Sequence, residues 1–130
     1  MTSTALLLHV AHGFSAQPTL AAQLAARSAI DWQVLELEPA EVMHRRLDPA
    51  VVWASRPQPR DTADLRKRLP GRPLLVSLPR HSPPALVVEH YDLGAELVIE
   101  DEGITYAAAA VAALGRRMPL HRDLPHRAGT

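Results

Sequence analysis

Two nearly continuous apolar segments, separated by one helical segment, constrain the fold of this chain more than any other feature. They predict strands at Pro73–Leu78 and Glu96–Glu100. Between them, Ser82 followed by two prolines predicts a helix entry, and Gly94 predicts its exit. Because their apolar residues do not alternate with polar ones, both strands are expected to be covered on both faces, as in a parallel sheet with crossover helices.

The same alternation of strand and helix patterns extends over the rest of the chain. The other predicted elements are strands at Ala5–Val10, Asp31–Glu38 and Ala50–Ala54, and helices at Ser15–Ser28, Ala40–Leu47, Thr62–Leu69 capped by Asp61, and Ile104–Arg117. This pattern predicts an α/β fold, a doubly wound five-stranded parallel sheet of order 2-1-3-4-5. We expect one domain over residues 1–117 and a tail or linker over residues 118–130.

Composition narrows the possible functions. The 14 basic and 14 acidic residues balance, which argues against direct nucleic-acid binding by these residues. The absence of cysteine excludes disulfides and thiolate sites. The apolar N-terminal segment has no basic region before it and is broken by His9, so we expect neither a signal peptide nor a membrane span. A cytoplasmic protein is expected.

The region 71–117 carries a more specific pattern. A proline-initiated apolar strand is followed by a helix that ends in Leu93-Gly94-Ala95, a strand that begins with an acidic residue, and a helix that ends in two arginines. This arrangement resembles the receiver domain of response regulators, the CheY-like family, and the similarity extends more weakly over residues 4–117. The resemblance implies a flavodoxin/CheY-like three-layer sandwich and a regulatory role in two-component signalling or transcription.

The receiver resemblance also implies a set of site positions. Receivers hold Mg²⁺ on two carboxylates after the first strand and phosphorylate an Asp at the end of the third. A hydroxyl after the fourth strand and a lysine after the fifth bind the phosphoryl group. Here these positions fall on Ala11 and His12, on Ala54 with Ser55 beside it, on Ser77 or Leu78, and on Glu100 or Asp101.

Only Ser77 retains a compatible side chain. The absence of Asp and Glu from residues 1–30 and from residues 49–60 makes the loss of the other groups independent of small alignment shifts. Mg²⁺ requires oxygen ligands, and a phosphoryl acceptor of this kind requires a carboxylate. The sequence therefore predicts a phosphorylation-independent pseudo-receiver that is not an enzyme and uses no metal and no cofactor.

Three cationic or titratable residues, Arg56, Arg80 and His81, follow strands at the same predicted edge. Together with helix N-termini they would form a cationic pocket for phosphate or a nucleotide; the alternative is that they are solvated loop residues. His12 and His81 are poorly placed as a metal pair, because the third strand should separate their backbones by roughly 10 Å.

A second resemblance offers an enzymatic alternative. The opening LLLHVAHGFS resembles the strand and His-Gly-Ser motif of small sirohydrochlorin chelatases, in which a histidine at a strand end binds the metal. Phe14 interrupts that motif after His12 and Gly13, and no Gly-x-His follows a later strand. Without a second histidine, such an enzyme would lack a metal-insertion base.

We expect the chain to form a homodimer through the fourth helix, the fifth strand and the fifth helix. The helical periodicity turns Val87, Val88 and Tyr91 towards solvent, and the fifth helix adds Tyr106. Arg116 and Arg117 can pair with acidic residues of the partner, although burial of the valines under neighbouring loops would leave a monomer. An output domain or protein partner would follow the C-terminal tail.

Overall fold

The computed structural model describes residues 4–13 and 19–117. Its strands are β1 (Thr4–Val10), β2 (Asp31–Leu37), β3 (Val51–Ser55), β4 (Leu74–Leu78) and β5 (Leu97–Glu100). Its helices are α1 (Thr19–Arg27), α2 (Pro39–Val42), α3 (Pro59–Arg68), α4 (Pro84–Asp92) and α5 (Ile104–Arg116). The start of the predicted first helix, at residues 15–18, and the tail at residues 118–130 lie outside the described residues.

All four strand pairs are parallel, and the strand order is β2-β1-β3-β4-β5. The predicted fold class and strand order are therefore confirmed. Every residue of β4 is buried, as its uninterrupted apolar sequence predicts for a strand covered on both faces.

Successive residues of each strand pack into two separate cores. Val51 and Trp53 lie in the cluster formed with α1 and α5, whereas Val52 and Ala54 lie in the cluster formed with α2, α3 and α4. Both clusters contain fully buried leucines, each of which stabilises the fold by about 2 kcal/mol relative to an exposed side chain. The result is the expected sandwich of helices on both faces of the sheet.

The predicted helix Ala40–Leu47 is wrong in length, because α2 ends at Val42. His44 and Arg45 donate their backbone N–H groups to the carbonyls of Glu41 and Val42, three residues earlier, which tightens the chain into a turn. Residues 43–50 therefore form a connection that carries two exposed arginines to the amino-terminal edge of the sheet.

The predicted cap of the third helix is also wrong. Helix α3 begins at Pro59, and the Asp61 carboxylate reaches back to accept the backbone N–H of Gln58 at 3.0 Å. Proline is favoured in the first helical turn because its missing N–H would have no partner there. Asp61 is thus the third residue of the helix, as in a capping box, and not the residue before it.

His90 connects two helices inside the core. It is completely buried, and its Nδ1 lies 2.8 Å from Thr62 Oγ1, which joins α4 to α3. Burial lowers the pKa of His90 below its ordinary value of 6.5, and the negative charge of Glu89 opposes that shift. Burial lowers the pKa of His9 as well, with Glu36 opposing the shift.

Acid should therefore destabilise the fold. A histidine with a lowered pKa in the folded state binds its proton more readily when unfolded, so its stabilising contribution is complete above about pH 6.5 and is lost as the pH falls towards the folded pKa. We expect the free energy of unfolding in urea to fall between about pH 7.5 and about pH 5.5, and to fall less for His90→Asn. Exposed His44 supplies the control His44→Asn, whose pH dependence should match the wild type; an equal fall in all three proteins contradicts the role of His90.

Candidate functional site

The carboxyl ends of four neighbouring strands gather most of the predicted site residues at one edge of the sheet. Strands β1, β3, β4 and β5 end at Val10, Ser55, Leu78 and Glu100, and the residues that follow form the connections above them. In open parallel sheets, ligands bind outside this edge. The structure thus brings together the chain segments that the receiver resemblance singles out.

The acceptor position that the resemblance implies, Ala54 with Ser55 beside it, lies at the end of β3. Strand β3 continues through Ser55, which is half-buried at its end. Ala54 is completely buried in the core cluster beneath α2, α3 and α4. After β1, Ala11 is buried and donates its N–H to the Leu37 carbonyl, so it presents only a methyl group.

Ser77 carries the hydroxyl that the resemblance would retain, and the structure places it in the core. It lies inside β4, which continues to Leu78, and is 1% exposed. Its Oγ accepts a hydrogen bond of 2.9 Å from the indole Nε1 of Trp53. Ser77 is therefore a buried partner of a core tryptophan.

An ion pair bridges the ends of β3 and β5. Arg56 Nε donates to Asp101 Oδ2 at 2.9 Å. The Arg56 backbone has a positive φ of 50°, and its N–H donates to the Ser77 carbonyl at 2.7 Å, which holds this residue above β4. The pair thus places a cation at the end of β3 and an anion after β5, where the receiver resemblance implies an acidic acceptor and a lysine.

The other cations at this edge also have acidic neighbours. Arg80 Nε lies 3.9 Å from Glu102 Oε2, and His81 donates its backbone N–H to Glu100 Oε2 at 2.9 Å. Carboxylates at the end of β5 and in the β5–α5 connection therefore lie beside Arg56, Arg80 and the His81 backbone and offset part of the local positive charge, and anion binding there stays a prediction. Sequence patterns do not reveal such pairs, since their members lie between 19 and 45 residues apart.

His12 pairs with Asp61 across the first and third βα connections. Its Nε2 lies 2.7 Å from Asp61 Oδ2, beside a cavity of about 260 Å³ that Met43 and Arg60 help to line. β3 lies between β1 and β4, as expected, so the connections that carry His12 and His81 are not neighbours. Within residues 4–13 and 19–117, no three His, Cys, Asp or Glu side chains are grouped to hold a metal ion.

The predicted dimer surface is apolar in part. Val88 and Tyr106 are 55% and 53% exposed, and Tyr91 is 42% exposed. Val87 is less exposed than the helical periodicity predicts, because it is half-buried and packs against the core. The Tyr91 hydroxyl accepts the backbone N–H of Val98 at 3.1 Å, which covers one donor of the edge strand β5.

The charged rim of that surface differs from the expectation. Arg117 donates to Glu96 of the same chain at 3.0 Å, and Asp101 and Glu102 interact with Arg56 and Arg80. The exposed residues Arg116, Glu89 and Asp92 remain at the rim.

The fold defines the class of this domain: a receiver-type α/β domain. No protein-family model matches the sequence, and no curated protein matches it significantly. Several solved structures do match this chain. The chain is similar to a LuxR-family two-component response regulator from Aurantimonas sp. SI85-9A1, with 14% identity, TM-score 0.65, and coverage of 93% of this chain and 91% of that one.

Two further similarities extend the comparison. A pilus assembly-related protein from Burkholderia pseudomallei shares 15% identity at TM-score 0.68, over 92% of this chain and 94% of that one. RcsB from Salmonella typhimurium shares 16% identity at TM-score 0.64, over 92% of this chain but 63% of that one. Another matching structure contains two RcsB dimers bound to two parallel DNAs. At these identities the comparisons establish the receiver fold, and they confirm the predicted resemblance at that level.

No helix in the described ranges is long and apolar enough to cross a membrane. The expected cytoplasmic location stays a prediction.

We expect that His12 does not act as a catalytic metal ligand, because the side chain against it is a single carboxylate from α3 and not a second histidine. Addition of Co²⁺ or Ni²⁺ should give no d–d absorption band that depends on His12. The comparison of wild type with His12→Ala measures this, and exposed His44→Ala is the control. A band lost only in His12→Ala would favour the chelatase alternative.

Proposed function

We propose that this chain is a receiver-like regulatory module that works without phosphorylation and without catalysis, by protein–protein contact. The observation that carries the proposal is the ion pair between Arg56 and Asp101 at the edge where receivers perform phosphoryl transfer. An aspartate cannot bind a phosphoryl group as a lysine at the Asp101 position would, and the residues before Arg56, Ala54 and Ser55, offer no carboxylate to accept one.

The electrostatics of the edge argue against Mg²⁺-dependent phosphorylation. Ala11 and His12 offer no carboxylate after β1, and Ser55 offers a hydroxyl instead of a carboxylate at the end of β3. A hard divalent cation depends on oxygen ligands whose negative charge offsets its own. The nearby Asp61 already accepts hydrogen bonds from His12 and from the Gln58 backbone.

The Arg56–Asp101 pair also provides a permanent link in place of a switchable one. In a phosphorylated receiver, the phosphoryl group on the third strand is bound by a lysine after the fifth. Here Arg56 and Asp101 connect the ends of the same two strands without any modification. The cation follows β3 and the anion follows β5, which is the reverse of the arrangement in a phosphorylated receiver. Because both are partly exposed, the pair contributes at most about 1 kcal/mol and positions the β5–α5 connection more than it stabilises the domain.

Self-association through α4, β5 and α5 is the proposed means of action. The exposed aromatic and valine side chains on this face favour a contact surface, since large apolar groups cost free energy in water. RcsB, which shares this fold, is present as dimers in its structure with DNA, which supports self-association in general and not a particular face. A signalling or transcriptional role through an output domain or a separate protein partner is consistent with the response regulators that share this fold.

The phosphorylation prediction is tested by NMR. Acetyl phosphate or beryllofluoride, each with Mg²⁺, should leave the amide spectrum unchanged relative to Mg²⁺-free protein, because no carboxylate lies at the acceptor position. Shifts clustered at residues 11–13, 54–57 and 77–82 would refute the proposal. Titration with Mg²⁺ alone separates metal binding from phosphoryl mimicry.

The dimer prediction is tested by sedimentation. Val88→Glu combined with Tyr91→Glu should convert a dimer into a monomer, because two charges would be buried at the interface. Val88 and Tyr91 are suitable because both are exposed, whereas a charge at half-buried Val87 would disturb the core. The matched control Ala21→Glu with Ala25→Glu places two charges on exposed positions of α1. A monomeric wild type, or a dimer unaffected by the charges on α4, contradicts the assignment.

A further inference from the structure

We propose that a cleft at the amino-terminal edge of the sheet, remote from the receiver site, binds a small phosphorylated organic ligand of nucleotide size through Arg66, Arg72 and Arg117. The cleft has a volume of about 360 Å³. These arginines line it together with Glu96, Pro73 and Leu114. They come from α3, from the connection before β4, and from the end of α5, and the fold alone brings them together.

Arg66 is fixed in place before any ligand arrives. Its Nε and one terminal nitrogen donate to the Gly94 carbonyl at 3.2 and 2.6 Å. Gly94 has φ of 115°, and a Cβ there would lie 2.7 Å from Arg66 Nε, so glycine is required for this approach. A guanidinium held by two hydrogen bonds loses little further conformational freedom on binding an anion.

The other two guanidiniums have partners that a phosphate can replace. Arg72 pairs with Asp48, whose side chain is 70% exposed, and Arg117 pairs with Glu96, whose side chain is 43% exposed. Exposed ion pairs of this kind contribute little to stability, so their exchange costs little. A phosphate group carries more charge than a carboxylate and matches the planar donor geometry of arginine.

The lining indicates the class of ligand. Three guanidiniums and one carboxylate give the lining side chains a net charge of +2, which favours an anion. Pro73 and Leu114 add apolar surface against which a ring can pack. The volume falls in the range of roughly 300–1,000 Å³ typical of small-molecule sites and is too small for a helix or a folded partner.

The test is a titration of the full chain with ATP, AMP and inorganic pyrophosphate, followed by NMR and calorimetry. We expect saturable binding of the nucleotides, with shifts at residues 66–73, 94–97 and 114–117. Arg72→Gln and Arg117→Gln should each weaken binding roughly tenfold through loss of a charge-assisted hydrogen bond. Glu96→Gln should strengthen binding, because it removes the competing carboxylate; this gain cannot arise from misfolding.

The control is Arg46→Gln, an exposed arginine at the same edge that does not line the cleft. It should leave the affinity unchanged. Absence of saturable nucleotide binding at millimolar concentration would overturn the proposal. Equal weakening of nucleotide binding by Arg46→Gln and Arg72→Gln would also overturn the proposal, because it would indicate attraction by the general positive charge of the edge. Equal affinity for pyrophosphate and ATP would overturn it too, because it would exclude recognition of an organic group. The proposal does not depend on whether phosphorylation occurs at the opposite edge.

Discussion

A row of polar and aromatic side chains crosses four strands near the carboxyl edge, and the arrangement of that edge depends on it. Glu36 Oε2 lies 3.0 Å from His9 Nδ1, the His9 ring stacks on Trp53 with centroids 3.8 Å apart, and the Trp53 indole donates to Ser77. The row places hydrogen-bonding groups within an otherwise apolar layer, where an unpaired polar group would be costly. It also holds the Ser77 Oγ against the Trp53 indole, inside the core.

The charge balance of the chain conceals a separation between the two edges of the sheet. At the carboxyl edge, Arg56 and Arg80 lie against Asp101 and Glu102. At the amino edge, the helix C-termini and their connections carry nine cations among the described residues, two of them paired with Asp48 and Glu96: Arg27, Arg45, Arg46, Arg66, Lys67, Arg68, Arg72, Arg116 and Arg117. Cations near helix C-termini are favoured by the helix dipole, so this separation follows partly from helix stability. A net charge of zero therefore excludes a uniformly basic surface but not a local anion site.

The sequence predicts the positions of the strands well because most of them are short, largely apolar segments, but it overestimates the burial of β5, an edge strand none of whose residues is fully buried. It fails where the outcome depends on pairs distant in sequence. The contact between His9 and Glu36 on the neighbouring strand joins residues 27 positions apart. The Arg56–Asp101 and His12–Asp61 pairs join residues 45 and 49 positions apart, and no local pattern marks either. The length of α2 is mispredicted for a different reason. The helical periodicity of the sequence continues after Val42, but the backbone forms a turn there.

Arg117 links the proposed contact surface to the proposed ligand cleft. It ends α5, lines the cleft, and pairs with Glu96 just before β5. A ligand can shift an association equilibrium only through different affinities for the free and associated states. If a phosphate withdraws Arg117 from Glu96, both the cation and the freed carboxylate at the rim of the dimer face change their surroundings. Ligand affinity and self-association must then change each other by the same factor, so the two proposed properties together would provide a route to regulation that needs no phosphorylation.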